Sequence, residues 1–282
     1  MKNGGSLKVG GITKKSEAGK PLVSIVTPVF NGKQYLEEAI ASVAGQTYDN
    51  IEHIIIDGGS TDGSLDIIKK HENEVSYWLS EPDSGMYEAV NKGLKIASGD
   101  ILAYLNSDDL YCRDTVQMVV ECFQGRPDVE LVYGNCDFIG SNSEFLHTRR
   151  YPEFHWESFI SSSRSTIPQP ATFWRNTIHK KIGYFDAGLK MCGDFDFYAR
   201  AGRDCRFFHI KKSIAKFRVH GASLSSTSKE MIKDEIEIVR KRYAHTGKMH
   251  QLFSRYWLEL KIKLLNRPLM VKLYNLSQKR SK

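Results

Sequence analysis

No uninterrupted apolar run in this 282-residue chain approaches the roughly 18–20 residues that span a bilayer, so no transmembrane helix is expected. The first twenty residues are rich in Gly, Lys and Ser and have no apolar segment, so a signal peptide is not expected and a cytoplasmic location is. Cysteine is scarce: Cys112, Cys122, Cys136, Cys192 and Cys205 include no CxxC pair. That dispersed, odd set reads as free thiols, not as a disulfide framework or a zinc ribbon. No GxGxxG follows the first apolar run, which disfavours a dinucleotide-dependent dehydrogenase. Internal repeats and low-complexity tracts are also missing. What remains is ordinary globular composition, 41% hydrophobic and 26% charged. The length suits one α/β domain with an appendage.

The net charge of +7 is concentrated at one end. Residues 229–282 hold fourteen Lys/Arg against five Asp/Glu, a balance of +9, which leaves −2 for the other 228. This argues against a nucleic-acid-binding core. It leaves two readings for the tail, a solubilising helical surface or a contact with something anionic.

Apolar runs and helical periods alternate along the chain. Val23–Thr27, Ile51–Ile56, Val75–Leu79, Ile101–Leu105 and Val129–Tyr133 read as strands. Helices are expected over Tyr35–Val43, after Gly63, over Met86–Ala97 and over Thr115–Phe123. Asn31 is a candidate N-cap and Gly45 a candidate C′ residue for the first of these. Beyond Phe138 the pattern loosens, with helical signal at Phe195–Ala201 and a strand at Phe207–Ile210. From Lys229, Met231, Ile232, Ile236, Val239 and Tyr243 share one helical face, and a second basic segment runs from Leu252 to Leu265, interrupted at Pro268. The alternation predicts a mostly parallel sheet flanked by helices.

Polar residues recur where strands stop: Asn31, Asp57, Asp108 and Asp109. Ligands of open α/β sheets sit outside the carboxyl ends of the strands. One Asp after a strand is ordinary turn chemistry; a repeated set describes a binding site. The adjacent carboxylates of Asn106-Ser-Asp108-Asp109 can hold a hard divalent cation while substrate phosphates complete its shell, or cap the following helix. In Cys192-Gly-Asp194-Phe-Asp196 an Asp opens a helix, by default as a cap. The stretch from Glu81 to Gly93 places Gly85, Asn91 and Gly93 too specifically for a generic helix start.

With Ser24-Ile-Val-Thr-Pro-Val-Phe-Asn31, Gln46-Thr47, Ile56-Asp-Gly-Gly-Ser-Thr-Asp62-Gly, Asp83-Ser-Gly85, Asn91-Lys-Gly93, Ala97-Ser-Gly-Asp100, Asn106-Ser-Asp-Asp109, Gly193-Asp-Phe-Asp196 and the Arg218/His220 loop, the chain resembles the family 2 glycosyltransferases across roughly residues 21–228. The resemblance implies a nucleotide-sugar-binding fold of the GT-A type. With the resemblance confined to a transferase domain at 21–228, composition and charge leave a flexible leader (1–20) before it and a basic helical tail (229–282) after it. Phe30 and the backbone around Pro28 are then expected to flank the nucleobase, with Asp57 bonding its edge and Asp83 lining the pocket. Asp108 is expected near the ribose and donor sugar, and Asp109 on a metal, Mn2+ or Mg2+, that bridges the diphosphate. His220 is expected as a metal or phosphate contact and Asp194 as the catalytic base.

Two positions depart from the family pattern: Asn106 replaces the first Asp of the metal motif, and Gly193 replaces a Glu before the base. The implied reaction is inverting transfer from a nucleoside-diphosphate sugar to a saccharide or lipid-linked saccharide in bacterial surface polysaccharide (capsule or lipopolysaccharide) synthesis. The tail would then meet the inner face of an anionic membrane. A nucleotidyltransferase is disfavoured because Gly58–Gly63 carries no basic residue. An inactive nucleotide-binding homologue is disfavoured because Asp57, Asp109 and Asp194 are all present. Acceptor contacts are expected from 141–190, with Gln169 and Trp174 as candidates.

Overall fold

The computed structural model describes residues 1–5, 14–162, 165–243 and 248–267. In chain order the elements are β1 (Lys2–Gly4), β2 (Val23–Val29), α1 (Leu36–Ala44), β3 (Ile51–Asp57), α2 (Ser64–Lys70), β4 (Tyr77–Ser80) and α3 (Met86–Ile96). Next come β5 (Ile101–Tyr104), β6 (Leu110–Tyr111), α4 (Thr115–Gly125), β7 (Leu131–Ile139), β8 (Phe145–Arg149), α5 (Trp156–Ser161), a 3-10 turn (Gln169–Ala171) and β9 (Thr172–Arg175). The chain continues through α6 (Ile178–Ile182), α7 (Gly193–Asp204), β10 (Phe207–Arg218), α8 (Leu224–Thr227), α9 (Lys229–Tyr243) and α10 (Lys248–Leu265).

One sheet runs β1-β4-β3-β2-β5-β9-β7-β10-β6, with β8 paired to β7. The strands β4, β3, β2 and β5 are mutually parallel. Their residues are almost all buried, which is why they read as continuous apolar runs in the sequence. The α/β reading therefore holds, with the parallel strands in the N-terminal half. The other half is mixed: β9 is antiparallel to both β5 and β7, and β10 is parallel to β7. Two reversals cancel, so β10 runs in the same direction as β5. Its end, at Arg218, lies on the same sheet edge as Asp57 and Asn106.

Several motif residues are there for packing. A Cβ on Gly93 would stand 2.4 Å from Val26, so α3 crosses β2 at contact distance only because that residue is Gly. Asn91 clamps the backbone of Phe185, donating to its carbonyl at 2.9 Å and accepting its N–H at 3.1 Å. Gln46 ties α1 to α4, accepting from the Val116 N–H and donating to the Cys112 carbonyl.

The structure corrects some expectations. Asn31 does not cap α1, which starts at Leu36; it sits at φ 51°, and its side chain accepts from the Thr61 N–H. The leader is partly ordered, because Lys2–Gly4 pairs antiparallel with β4 and Asn50 binds the carbonyls of Lys15 and Lys20. On α9, Ile232, Ile236, Val239 and Tyr243 pack inward, but Met231 is 47% exposed. The tail packs on the domain, α9 against α7 and α10 against α5. The expected break at Pro268 and the basic residues beyond it lie outside the described residues. Among the described residues, no helix is long and apolar enough to cross a membrane.

Candidate active site

The strand order reverses around β2, which places a crevice at the carboxyl ends of β2, β3 and β5. Phe30 leaves the end of β2 with 68% of its surface exposed, while Pro28 is buried within the strand. The two loops beside it are sewn together. Asn31 N–H donates to Ser60 Oγ, Gly32 N–H to Ser64 Oγ, and Lys33 N–H to Asp62.

Asp57 is fully buried, accepting from Ser80 Oγ at 2.7 Å and from the Ser60 N–H. The Asp83 carboxylate lies against Gly58, where a Cβ would come within 2.6 Å of its Oδ2. Burial raises the Asp83 carboxyl above the usual range, and the Asp57 charge adds to the shift. Two carboxylates thus converge on one end of the crevice.

Asp108 and Asp109 are adjacent in sequence but turn to different partners. Asp108 is part-exposed, and its Oδ2 stands 3.0 Å from Nε2 of His220. The Asp109 side chain faces inward: the residue is 1% exposed and Oδ1 accepts the backbone N–H of Arg218 at 2.9 Å. Burial, then the Asp108 charge, push its carboxyl well up. Asp108 is thus the more exposed of the two carboxylates, while Asp109, expected on a metal, holds the Arg218 backbone through Oδ1 and keeps a buried Oδ2 with no hydrogen-bond partner among the described residues. Gly32 abuts this loop, since a Cβ there would meet Ser107 Oγ at 2.8 Å.

Arg218 organises the loop. It is fully buried, with Nε donating to the Asp108 carbonyl at 2.8 Å and the other nitrogens reaching the Gly140 carbonyl, Ser143 Oγ and Glu38. Its guanidinium also lies over the Tyr35 ring, and that ring packs on His220 at 4.8 Å. The Asn106 departure has a local reason. Its amide donates to Gln169 Oε1, while the Gln169 amide donates to the Tyr104 carbonyl. A carboxylate at 106 has no hydrogen to give there. Gln169 is thus a brace for this loop. Trp174, the other expected acceptor contact, is fully buried and bonds His179, so it belongs to the core.

Asp194 lies in the first turn of α7. Its Oδ1 accepts from the Phe195 N–H at 2.8 Å and from the Tyr87 hydroxyl at 3.2 Å. Burial raises its carboxyl to about 6, although both hydrogen bonds pull the other way. Gly193 explains the second departure: a Cβ there would stand 2.8 Å from the Tyr87 ring, so no side chain fits. Asp196, the other acid of the motif, is 1% exposed and saturated by Arg200 and the Tyr243 hydroxyl. It joins α7 to α9 and has no free base function.

Sequence reasoning gave no role to Tyr87, Arg218 or Glu235. Glu235 had a signal. It falls three residues after Ile232 and four before Val239, which puts a carboxylate on the buried face of α9.

With this geometry in place, known proteins give it a context. A model of Glycosyl transferase family 2 matches residues 24–187. An uncharacterized glycosyltransferase of Mycobacterium tuberculosis (strain ATCC 25618 / H37Rv) is 34% identical over 204 residues, 71% of this chain and 76% of that protein. A PGL/p-HBAD biosynthesis glycosyltransferase of Mycobacterium bovis (strain BCG / Pasteur 1173P2) is 29% identical, over 76% of this chain and 83% of that one. Among solved structures, S. aureus TarS 1-349 in complex with UDP-GlcNAc superposes with a TM-score of 0.65 at 19% identity, covering 87% of this chain and 73% of that one. Against a longer TarS chain the coverage is 44% of that chain. The mannosyltransferase PcManGT from Pyrobaculum calidifontis, in complex with GDP-Man and Mn2+, gives 0.58 at 15% identity over 96% and 83% of the two chains. These structures share the fold; the family model and the 34% relative establish the family. The chain belongs to glycosyl transferase family 2 and is a glycosyltransferase.

Proposed function

We propose that the protein moves a sugar, with inversion, from a nucleoside-diphosphate sugar to a hydroxyl of a saccharide acceptor carried on a lipid, in the assembly of a bacterial cell-surface glycan. One observation carries the reading. The crevice has an exposed ring and paired carboxylates at one end, a part-exposed Asp108 bonded to His220 on the same sheet edge, and a separate raised-pKa carboxylate at Asp194. TarS binds UDP-GlcNAc and PcManGT binds GDP-Man in the same fold, which supports a nucleotide-sugar donor.

Phe30 is suited to stack on the base, with the part-exposed Asp83 nearby to accept from its edge and the buried Asp57 beneath it holding Ser60 and Ser80. The residues suit a divalent cation: the part-exposed Asp108 carboxylate and the His220 imidazole, 3.0 Å apart, offer one oxygen and one nitrogen ligand once their mutual hydrogen bond is released. Among the described residues no group of three or more His, Cys, Asp or Glu makes a closed cage, so phosphate oxygens and water would complete the shell. Asp108 and His220 would hold the ion, which supplies neutralisation of the charge on the departing diphosphate.

Asp194 accepts the proton of the attacking hydroxyl. A carboxyl near 6 is a better base than an ordinary Asp and is still ionised at neutral pH. The hydroxyl is a far weaker acid, so proton transfer comes late, and alignment of the acceptor supplies much of the rate.

Nucleoside diphosphates with Mn2+ should raise the melting temperature, by RT ln(1 + [L]/Kd), or roughly 2.7 kcal/mol of stability at a hundredfold excess over Kd. Asp108→Ala should abolish the Mn2+-dependent part of that shift and leave the unliganded Tm near wild type, because Asp108 is part-exposed. A full shift in Asp108→Ala would remove the metal assignment.

We also propose that the tail meets anionic lipid. On α10, Tyr256, Trp257 and Leu264 are 68%, 56% and 41% exposed beside exposed Lys261 and Lys263. Polybasic attraction is worth about 1 kcal/mol per Lys or Arg near the surface and is screened by salt. Reversing Lys261 and Lys263 to Glu should lower co-sedimentation with anionic vesicles while α10 stays packed on α5. Unchanged sedimentation, or none in the wild type, would leave the tail as a solvated helical surface.

A further inference from the structure

The matched family region ends at residue 187, yet the segment that leads into Asp194 is held by a helix that begins at Lys229. Glu235 on α9 is 8% exposed and points its carboxylate at that segment. Its Oε1 accepts the Lys190 N–H at 2.7 Å, and its Oε2 accepts the N–H groups of Met191 at 2.8 Å and Cys192 at 2.9 Å. The Cys192 thiol adds a weaker strap to the Ile232 carbonyl at 3.5 Å. A carboxylate is costly to bury, and three N–H donors are what makes this one tolerable. The segment therefore cannot move away from α9 without stranding a buried charge and three donors.

The other side of the base is fixed as firmly. Cys192 caps α7 with no side-chain cap bond, and Gly193 is pressed on the Tyr87 ring. The Asp194 N–H donates to the Tyr87 hydroxyl, whose own hydrogen goes to the Asp194 carboxylate or the Met191 carbonyl. Asp194 is thus set between Tyr87 of α3 and the three N–H groups gathered by Glu235 of α9. In an inverting transfer the base must sit in line with the acceptor hydroxyl, and a displacement of about 1 Å can cost roughly a hundredfold in rate.

We propose that Glu235 is a positioning residue for glycosyl transfer, fixing the 190–192 segment from the C-terminal helix so that the Asp194 carboxylate is held at one place in the site. This rests on the reading of Asp194 as the base. It assigns the tail a part in catalysis that is separate from any contact with lipid.

The test is a double-mutant cycle on the full-length chain, with transfer or donor hydrolysis as the rate and thermal shift by nucleoside diphosphate and Mn2+ as the binding measure. Glu235→Gln places an NH2 group against backbone N–H groups and should lower kcat by roughly 10–100-fold with donor affinity kept. In an Asp194→Asn background the same change should cost almost nothing further, because the group it positions is already gone. Glu235→Asp keeps the charge and both oxygens, should recover part of the lost rate, and carries the same comparison if the Gln variant does not fold. Unchanged kcat in Glu235→Gln, an equal loss in both backgrounds, or loss of donor binding in the folded variants would overturn the role. Near-normal turnover by Asp194→Asn alone is a different result: it removes Asp194 as the base, and the positioning role falls with it.

Discussion

Asp194→Asn is expected to lower kcat by roughly 10²–10⁴-fold while nucleotide-sugar binding persists. The amide keeps the size of the carboxylate and an oxygen for the Phe195 N–H, so the first turn of α7 is kept. What it loses is the lone pair that takes the hydroxyl proton. The fall should appear in kcat and kcat/KM together, because that proton moves only in the transition state. Stability should respond in the opposite sense. The folded carboxyl titrates near 6, above the 3.8 of an unperturbed Asp, so the folded state binds this proton more tightly than the unfolded chain does. Its stabilising contribution is full below 3.8 and is lost as pH rises through 6, and ionised Asp194 is a burden at neutral pH. Asn carries no such burden, so the Tm of the variant at pH 7 should hold or rise. For the same reason wild-type kcat/KM should decline as pH falls below about 6. A variant that turns over normally would make Asp194 a residue of the first turn of α7 and not the base.

Arg218→Met should be the most destabilising single change in the site. The methionine retains an apolar stem and removes every guanidinium donor from a place with no solvent exposure. The carbonyls of Asp108 and Gly140 and the Ser143 hydroxyl lose their partner at once. Glu38 is half-exposed, so its ion pair is screened by water and contributes a minor share. Breaking a buried ionic network by removing one member typically costs about 3–5 kcal/mol. In a chain of this size that corresponds to a Tm lower by on the order of 10 °C. The backbone N–H of residue 218 still reaches Asp109, so the strand end should survive while the Asp108 loop loosens. Mn2+-dependent diphosphate binding should weaken in parallel. A Tm within a degree or two of wild type would show that the network contributes little.

The N-terminal half was legible in the sequence for a physical reason. Parallel strands buried on both faces read as unbroken apolar runs, and the amphipathic helices between them show a clear period. The second half was harder. Leu110–Tyr111, Phe145–Arg149 and Thr172–Arg175 are short strands fixed by pairing with distant partners, and β10 passes through two register shifts that break its alternation. Pro28, Phe30, Asp57, Asp83, Asp108, Asp109, Asp194 and His220 were singled out by motif, but two features of the candidate site were decided in three dimensions. Which of Asp108 and Asp109 faces outward depends on the backbone N–H of a residue 109 positions away. Whether Gly193 is a lost acid or a required gap depends on where the Tyr87 ring lies. Neither dependence leaves a mark in the local pattern.

Inverting transfer from a nucleoside-diphosphate sugar is the reaction proposed. It is tested most directly by proton NMR of the sugar released when the purified protein and Mn2+ are incubated with α-linked UDP-GlcNAc or GDP-mannose, read before mutarotation proceeds. A first product of β configuration, lost in Asp194→Asn, is the predicted result. A first product that keeps the α configuration would contradict the single-displacement chemistry assigned to Asp194.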